Sequence, residues 1–161
     1  MATNDEVGAL YREAHAAMLE ALADLDEAAY RRVPAGGGWA IANALAHAVE
    51  SEEFWLSQVE RLLKEAGARV GRLDEAAQRG RERGVQEGAR APYGDMRSRF
   101  ERITIAGQRR LGELSEEALQ RSGSRLTDGA LTTASVADLF RQIADHIQEH
   151  AEQILELREA P

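Results

Sequence analysis

Cysteine is absent from this chain of 161 residues, and that absence removes several chemistries at once. Without thiols the chain cannot form a disulfide, offer a cysteine nucleophile or bind a metal through thiolates. Any metal site would therefore use nitrogen or oxygen ligands.

Long apolar runs are also missing. No stretch approaches the roughly 20 apolar residues that cross a membrane, so no membrane partner is expected. The first residues, Met-Ala-Thr-Asn-Asp-Glu, are polar and acidic, whereas a signal peptide has a basic start and an apolar stretch. We expect a cytoplasmic protein with one domain over residues 1–161.

Basic residues are outnumbered, 20 against 28 acidic ones, which gives a net charge of −8. Such a surface repels phosphate backbones, so nucleic acid is not an expected partner. Aromatic residues make up 5% of the chain and prolines number three, while strong helix formers such as alanine, leucine, glutamate and arginine dominate. The composition predicts an all-α fold.

Four long segments show helical periodicity of their apolar residues. The predicted helices cover about residues 5–28, 40–66 and 92–114, with a fourth from about 133 to the end of the chain. A short helical turn is predicted at 115–119, followed by a glycine-containing loop to 131. Four amphipathic helices and one long crossover predict a four-helix bundle.

The long connection between helices 2 and 3, residues 67–91, carries five glycines. We expect a loop with one helical turn near 73–78. Its six arginines could bind an anionic ligand, but four acidic residues lie among them. The interpretation favoured by this mixture is a solvated crossover.

Two histidines in the last helix, His146 and His150, are four residues apart. That spacing puts two imidazoles on one helical face, where both can bind one metal ion. His150 also interrupts an apolar stripe. Such a pair arises often by chance, and a core histidine bonded to a backbone carbonyl is the ordinary explanation.

His47, in the second predicted helix, could supply a third imidazole from a facing helix. His15 lies in the first helix without a second ligand nearby, and we expect a partly exposed boundary residue there. Glu50, Asp145 and Glu149 lie close to the candidate ligands in sequence, but solvated surface acids are the simpler interpretation. The polar side chains Ser51 and Gln58 could also face the cavity.

Two stretches resemble the DinB-like (DinB/YfiT) superfamily. Residues 38–47 read Gly-Trp-Ala-Ile-Ala-Asn-Ala-Leu-Ala-His, which is similar to the start of that family's second helix. Residues 133–150 end in His-Ile-Gln-Glu-His and resemble its last helix. Ala40 departs from the serine or threonine that often caps the second helix in relatives.

The resemblance implies a four-helix bundle with up-down-down-up connectivity. It implies a divalent metal ion, commonly zinc or nickel, bound by His47, His146 and His150. Many relatives are dimers, so a homodimer is expected. Relatives include thiol-dependent transferases that use bacillithiol or mycothiol, which implies a low-molecular-weight thiol as co-substrate.

Three histidines leave a coordination position open, which is typical of catalytic sites. The leading hypothesis is metal-dependent thiol transfer or hydrolysis on a small-molecule substrate. The alternative is a non-catalytic metal-binding or interaction bundle in which the ion holds helices together. An open site in a pocket of a few hundred cubic ångströms would favour the enzyme. A bundle without metal is a third option.

Overall fold

The computed structural model describes residues 3–127 and 129–161. Four long helices form a bundle, which confirms the predicted all-α class: α1 (Asn4–Ala21), α3 (Ile41–Lys64), α5 (Tyr93–Gly112) and α7 (Val136–Glu159). Shorter elements are α2 (Glu27–Arg31), β1 (Arg69–Val70), α4 (Glu75–Arg90), α6 (Glu116–Leu119), β2 (Ser122–Thr127) and β3 (Ala130–Ser135). Within the described residues, no helix is both long and apolar enough to cross a membrane.

Helix starts follow capping chemistry. Thr3 accepts a hydrogen bond from the backbone of Glu6, and the Glu6 side chain accepts one in return, which fixes the start of α1. Ser135 and Asp138 form the same reciprocal pair at α7. At α3 the cap residue Ala40 has no polar side chain and makes no side-chain cap bond, as the sequence predicts. The only bond of the pair is the one that the Ala40 backbone N–H donates to Asn43 Oδ1.

The first predicted helix, 5–28, is too long. α1 ends at Ala21, and Asp24 adopts a left-handed backbone conformation with φ of 57° that no helix continues. Asp26 then caps the separate short helix α2. The capping aspartate Asp26 was the missed signal.

The core lies between the four long helices. α1 and α3 each pack against both α5 and α7, so α1 and α3 occupy opposite corners of the bundle. The largest buried side chains come from all four helices and include Tyr11, Leu45, Phe100 and Phe140, none of them exposed. At roughly 25 cal/mol per Å², burial of such side chains dominates the stability of the bundle.

A buried polar cluster crosses this core from α1 to α3. Glu52 Oε1 accepts a hydrogen bond from the Tyr11 hydroxyl and lies 2.8 Å from His15 Nε2, while His15 Nδ1 donates to the Tyr11 carbonyl at 2.6 Å. The expectation that His15 is partly exposed is wrong: 1% of it is exposed. Its hydrogen bonds satisfy both ring nitrogens, which makes the burial possible.

The prediction of a loop with one helical turn at 67–91 is also wrong, because α4 runs without a break from Glu75 to Arg90 and packs on α3. Glycines at i and i+4 fall on one helical face. A Cβ on Gly84 would meet Glu50 Cγ at 2.9 Å, and one on Gly88 would meet Ala46 Cβ at 2.9 Å. These glycines permit the close approach of α4 to α3.

This packing makes opposite predictions for two glycines of one helix. Gly88→Ala should lower the free energy of unfolding by about 1–2 kcal/mol, because the added methyl overlaps Ala46. Gly80→Ala is the matched control. Nothing lies within 4 Å of a Cβ there, so the alanine should stabilise the protein by about 0.5–1 kcal/mol. Urea denaturation measures both, and equal effects would contradict the packing argument.

The loop predicted after residue 119 contains a β-hairpin instead. β2 and β3 pair antiparallel from Ser122 opposite Ser135 to Thr127 opposite Ala130, and β1 adds a parallel strand through Arg69 and Val70. The short helix α6 before it confirms the predicted turn at 115–119. The last residue of β3, Ser135, is also the residue that caps α7. The helix therefore begins at Val136 rather than near residue 133.

Candidate metal centre

Three imidazoles converge between α3 and α7. His47 comes from α3, and His146 and His150 come from successive turns of α7. His146 Nε2 lies 3.2 Å from His47 Nε2 and 3.2 Å from His150 Nε2. One ligand atom from each residue lies within 4.8 Å of the other two, an arrangement that could hold a metal ion.

The spacing of the nitrogens fits a shared ion. With metal–nitrogen bonds of about 2.0–2.1 Å, two ligands on a tetrahedral ion are about 3.4 Å apart, and two neighbouring ligands on an octahedral ion about 2.9 Å. The separations of 3.2 Å lie between these values. Small rotations of the rings would satisfy either geometry.

The hydrogen bond at His150 fixes which of its nitrogens is available. His150 Nδ1 donates to Gln153 Oε1 at 2.8 Å. A neutral imidazole has one N–H, so its Nε2 then carries a lone pair that points into the cluster. An oxygen partner of this kind orients histidine ligands in many metal sites. His47 Nδ1 is buried and has no hydrogen-bond partner among the described residues.

The environment keeps these rings neutral. Burial, followed by the proximity of His150, lowers the pKa of His47 to about 4. Burial and the other two histidines lower the pKa of His146 to about 3, and burial also lowers that of His150. Metal ions bind the deprotonated ring. At neutral pH the cluster therefore presents unprotonated nitrogens without a competing proton.

Trp39 packs against two of the three imidazoles. Its ring contacts the ring of His47 edge-on, with centroids 5.5 Å apart, and lies parallel to that of His150 at 6.5 Å. The indole itself is 40% exposed. An exposed tryptophan held by two histidines narrows access to the cluster from this direction.

A cavity of about 530 Å³ lies beside His47 and His146, and Trp39 is not among its lining residues. Residues from α3, the connection between β1 and α4, α4 itself, the hairpin and α7 line it: His47, Ser51, Trp55, Arg72, Gln78, Arg81, Arg125, Leu126, Gly129, Gln142 and His146. Ligand sites in proteins typically have about 300–1,000 Å³. The three-histidine cluster thus borders a space that admits a small molecule.

A family model for the DinB superfamily matches residues 10–154. The chain belongs to the DinB superfamily. The match confirms the family to which residues 38–47 and 133–150 show a resemblance. None of the curated proteins compared with the sequence matches it.

Solved structures show the same fold at low sequence identity. A mycothiol-dependent maleylpyruvate isomerase superimposes with a TM-score of 0.78 at 16% identity, over 96% of this chain and 63% of the isomerase. YfiT from Bacillus subtilis, described as a probable metal-dependent hydrolase with an unusual four-helix bundle topology, gives 0.75 at 15% identity, over 96% of this chain and 85% of YfiT. The DinB chain thus spans less than two thirds of the isomerase.

Acidic residues near the cluster of this DinB protein are not positioned as an obvious base. Glu50 is held by Arg72, with both carboxylate oxygens 2.8 Å from Nη2. Asp145 and Glu149 are exposed and line a neighbouring cavity of about 560 Å³ that also contacts His146. The interpretation of the two α7 acids as surface groups fits their exposure, but for Glu50 it is wrong, because only 15% of that side chain is exposed and Arg72 pairs with it.

Of the two further polar candidates, the structure brings one to the site. Ser51 is buried beside His47 and lines the 530 Å³ cavity. The Gln58 carboxamide instead accepts a hydrogen bond from the Gly71 backbone at 3.2 Å, away from the cluster.

Sequence reasoning missed Trp39, Gln153 and Arg125 as neighbours of the DinB cluster, and it considered Arg81 only as one of six arginines that could bind an anionic ligand. Gln153 could have been found, because it follows His150 by three residues on the same helix face. Arg81 and Arg125 belong to elements that were not predicted as helix or strand. No local pattern could therefore predict that their side chains lie near the histidines.

Proposed function

We propose that this DinB protein is a metal-dependent enzyme in which His47, His146 and His150 hold one divalent ion, zinc or nickel by family resemblance. We propose that the enzyme either transfers a group from a small-molecule substrate to a low-molecular-weight thiol or hydrolyses that substrate. The observation that carries the proposal is the convergence of three neutral imidazoles at the edge of an open cavity.

The number of ligands supports a catalytic role. Structural zinc sites are usually closed by four protein ligands, whereas catalytic sites keep a position for water or substrate. Among the described residues, no fourth histidine, aspartate or glutamate joins the group of three. A cavity of about 530 Å³ beside His47 and His146 supports the enzyme over the alternative in which the ion only joins α3 to α7.

A divalent ion at this site would supply Lewis acidity and lower the pKa of a coordinated water or thiol. The residues of the chain would then position the reactants. Gln153 orients His150, and Trp39 restricts solvent on one side. The cavity would hold the electrophile against the histidines, with Ser51 as a hydroxyl able to hydrogen-bond to it.

The relatives narrow the reaction type. One structural neighbour is an isomerase that depends on the thiol mycothiol, and another is described as a probable hydrolase that depends on metal. Both descriptions are compatible with activation of a nucleophile at an open metal site.

The proposal is tested by elemental analysis of the purified protein, followed by activity assays of metal-loaded and chelator-treated samples. We expect about one divalent ion per chain and consumption of a thiol with a chlorinated aromatic electrophile, or of an ester, only in the loaded sample. Bound metal without turnover of any thiol or ester would instead support the structural role, and protein without metal would contradict both.

A further inference from the structure

The cavity beside the three histidines is lined by cations. Arg72, Arg81 and Arg125 contribute to its wall, and none of the described lining residues is aspartate or glutamate. The chain as a whole has a net charge of −8, so the positive charge of this wall is opposite in sign to the charge of the chain. A concave wall of one sign concentrates ligands of the opposite sign.

One of the three arginines is already neutralised. Arg72 forms a bidentate contact with Glu50, and its guanidinium lies 4.0 Å from the centroid of the Phe54 ring. With both sides engaged, Arg72 is a fixed part of the wall and not a free cation.

Arg125 retains unused donors. Its Nη1 donates to Gln142 at 2.8 Å, which holds the guanidinium in place. Its Nε is buried and has no hydrogen-bond acceptor among the residues that the structure describes. Since a guanidinium has five N–H donors, Arg125 can present a fixed pair of them to an anion.

Arg81 carries a free charge on the part of the wall that α4 contributes. It lies on α4, and within residues 3–127 and 129–161 it makes no ion pair or hydrogen bond. It lines the same cavity as His47 and His146, which places it beside the cluster. Other arginines, such as Arg31 and Arg158, donate to backbone carbonyls instead.

We propose that Arg81 and Arg125 form an anion subsite that holds a carboxylate or phosphate group of the substrate, with its reacting atom directed at the three histidines. The substrate class of this DinB protein is then a small anionic molecule. The inference deepens the proposed function and rests on it for the identity of the reacting site. Two guanidinium groups that line one cavity suit an anion with at least two oxygens.

Two simple anions test the subsite, and they distinguish its two chemistries. ¹⁵N-labelled protein is titrated with sodium phosphate and, separately, with sodium acetate, in chelator-treated and zinc-loaded forms. We expect saturable shifts at cavity amides such as Gly129, with an affinity reduced roughly 10-fold in Arg81→Gln and in Arg125→Gln. Tighter phosphate binding indicates a phosphorylated substrate, and tighter acetate binding indicates a carboxylate.

Arg83→Gln is the matched control, since Arg83 is exposed on the same helix and does not line the cavity. Because Arg81 is also exposed, its variant should fold normally, and circular dichroism checks this. The subsite is refuted by an absence of saturable shifts, by equal losses in Arg83→Gln, or by affinities that survive both cavity replacements.

The metal-free titration separates this inference from the proposed function. Arginine-dependent anion binding without metal supports the subsite even if the protein binds no ion. Anion binding that requires zinc and ignores both arginines would support the metal site while overturning the subsite.

Discussion

The His146→Ala variant is expected to lose its divalent metal, with an affinity at least about 100-fold below that of the unmodified protein. His146 occupies the middle of the cluster, since its Nε2 lies 3.2 Å from the Nε2 atoms of both other histidines. Removing even a side chain that only orients a metal ligand costs about 10–100-fold in affinity, so loss of the ligand itself should cost more. Competition against a chromogenic chelator measures the affinity.

Gln148→Ala provides the control for this experiment. Gln148 lies on α7 between the two histidines, and its side chain bonds to Glu152 rather than to the cluster. We expect its metal affinity to be unchanged, and both variants to keep the helix content of the parent protein. A His146→Ala protein that retains full metal affinity would remove the basis of the proposed function.

Glu52→Ala is expected to lower the free energy of unfolding by about 3–5 kcal/mol, the range found when one member of a buried polar pair is removed. Glu52 is 1% exposed, and its Oε1 is the partner of both the Tyr11 hydroxyl and His15 Nε2. The substitution leaves two buried polar groups without a partner and opens a cavity. Urea denaturation at pH 7 measures the change.

The adjacent Glu53→Ala variant supplies the matched control. Glu53 pairs with Arg99 in a contact whose side chains are 38% and 41% exposed, and ion pairs at the surface contribute at most about 1 kcal/mol. A cycle of Glu52→Ala with Tyr11→Phe should show non-additive effects, because the two residues share a hydrogen bond. Equal costs for Glu52 and Glu53 would show that the core cluster does not contribute as argued.

Periodicity predicted the parts of the fold in which a single helix buries one apolar face. α3 differs from its prediction by about two residues at its C-terminal end, since Ile41–Lys64 replaces 40–66, and α5 and α7 are confirmed with shifted starts. Such helices can be recognised in the sequence because the regular spacing of their apolar residues, such as Leu45 and Val49 in α3 or Phe140 in α7, is a local pattern.

The remaining errors have one physical origin, which is contact between distant segments. Gly84 and Gly88 look like helix breakers until α3 approaches them, and then they become the residues that let α4 pack closely. His15 looks like a boundary residue until Glu52, 37 positions away, provides a partner. Helical propensity depends on neighbouring residues alone, so it predicts neither the close packing at the two glycines nor the partner of His15.

The site divides in the same way. The i, i+4 spacing of His146 and His150 is local and predicted their proximity, while His47 was indicated by its place in a second bundle helix and then by the family resemblance. Two parts of the cavity wall come from α4 and β2, so the position of Arg81 and Arg125 beside the histidines became apparent only in three dimensions.

His47 and His146 are 99 positions apart, and this separation has a consequence for biogenesis. In a newly made chain, only the two histidines of the α7 segment lie close together, as a weak two-nitrogen chelate. His47 joins them when the bundle has closed. In the proposed metalloenzyme, selective metal binding would therefore follow folding, and the folded chain, rather than the nascent one, would determine which cation is acquired from the cellular pool.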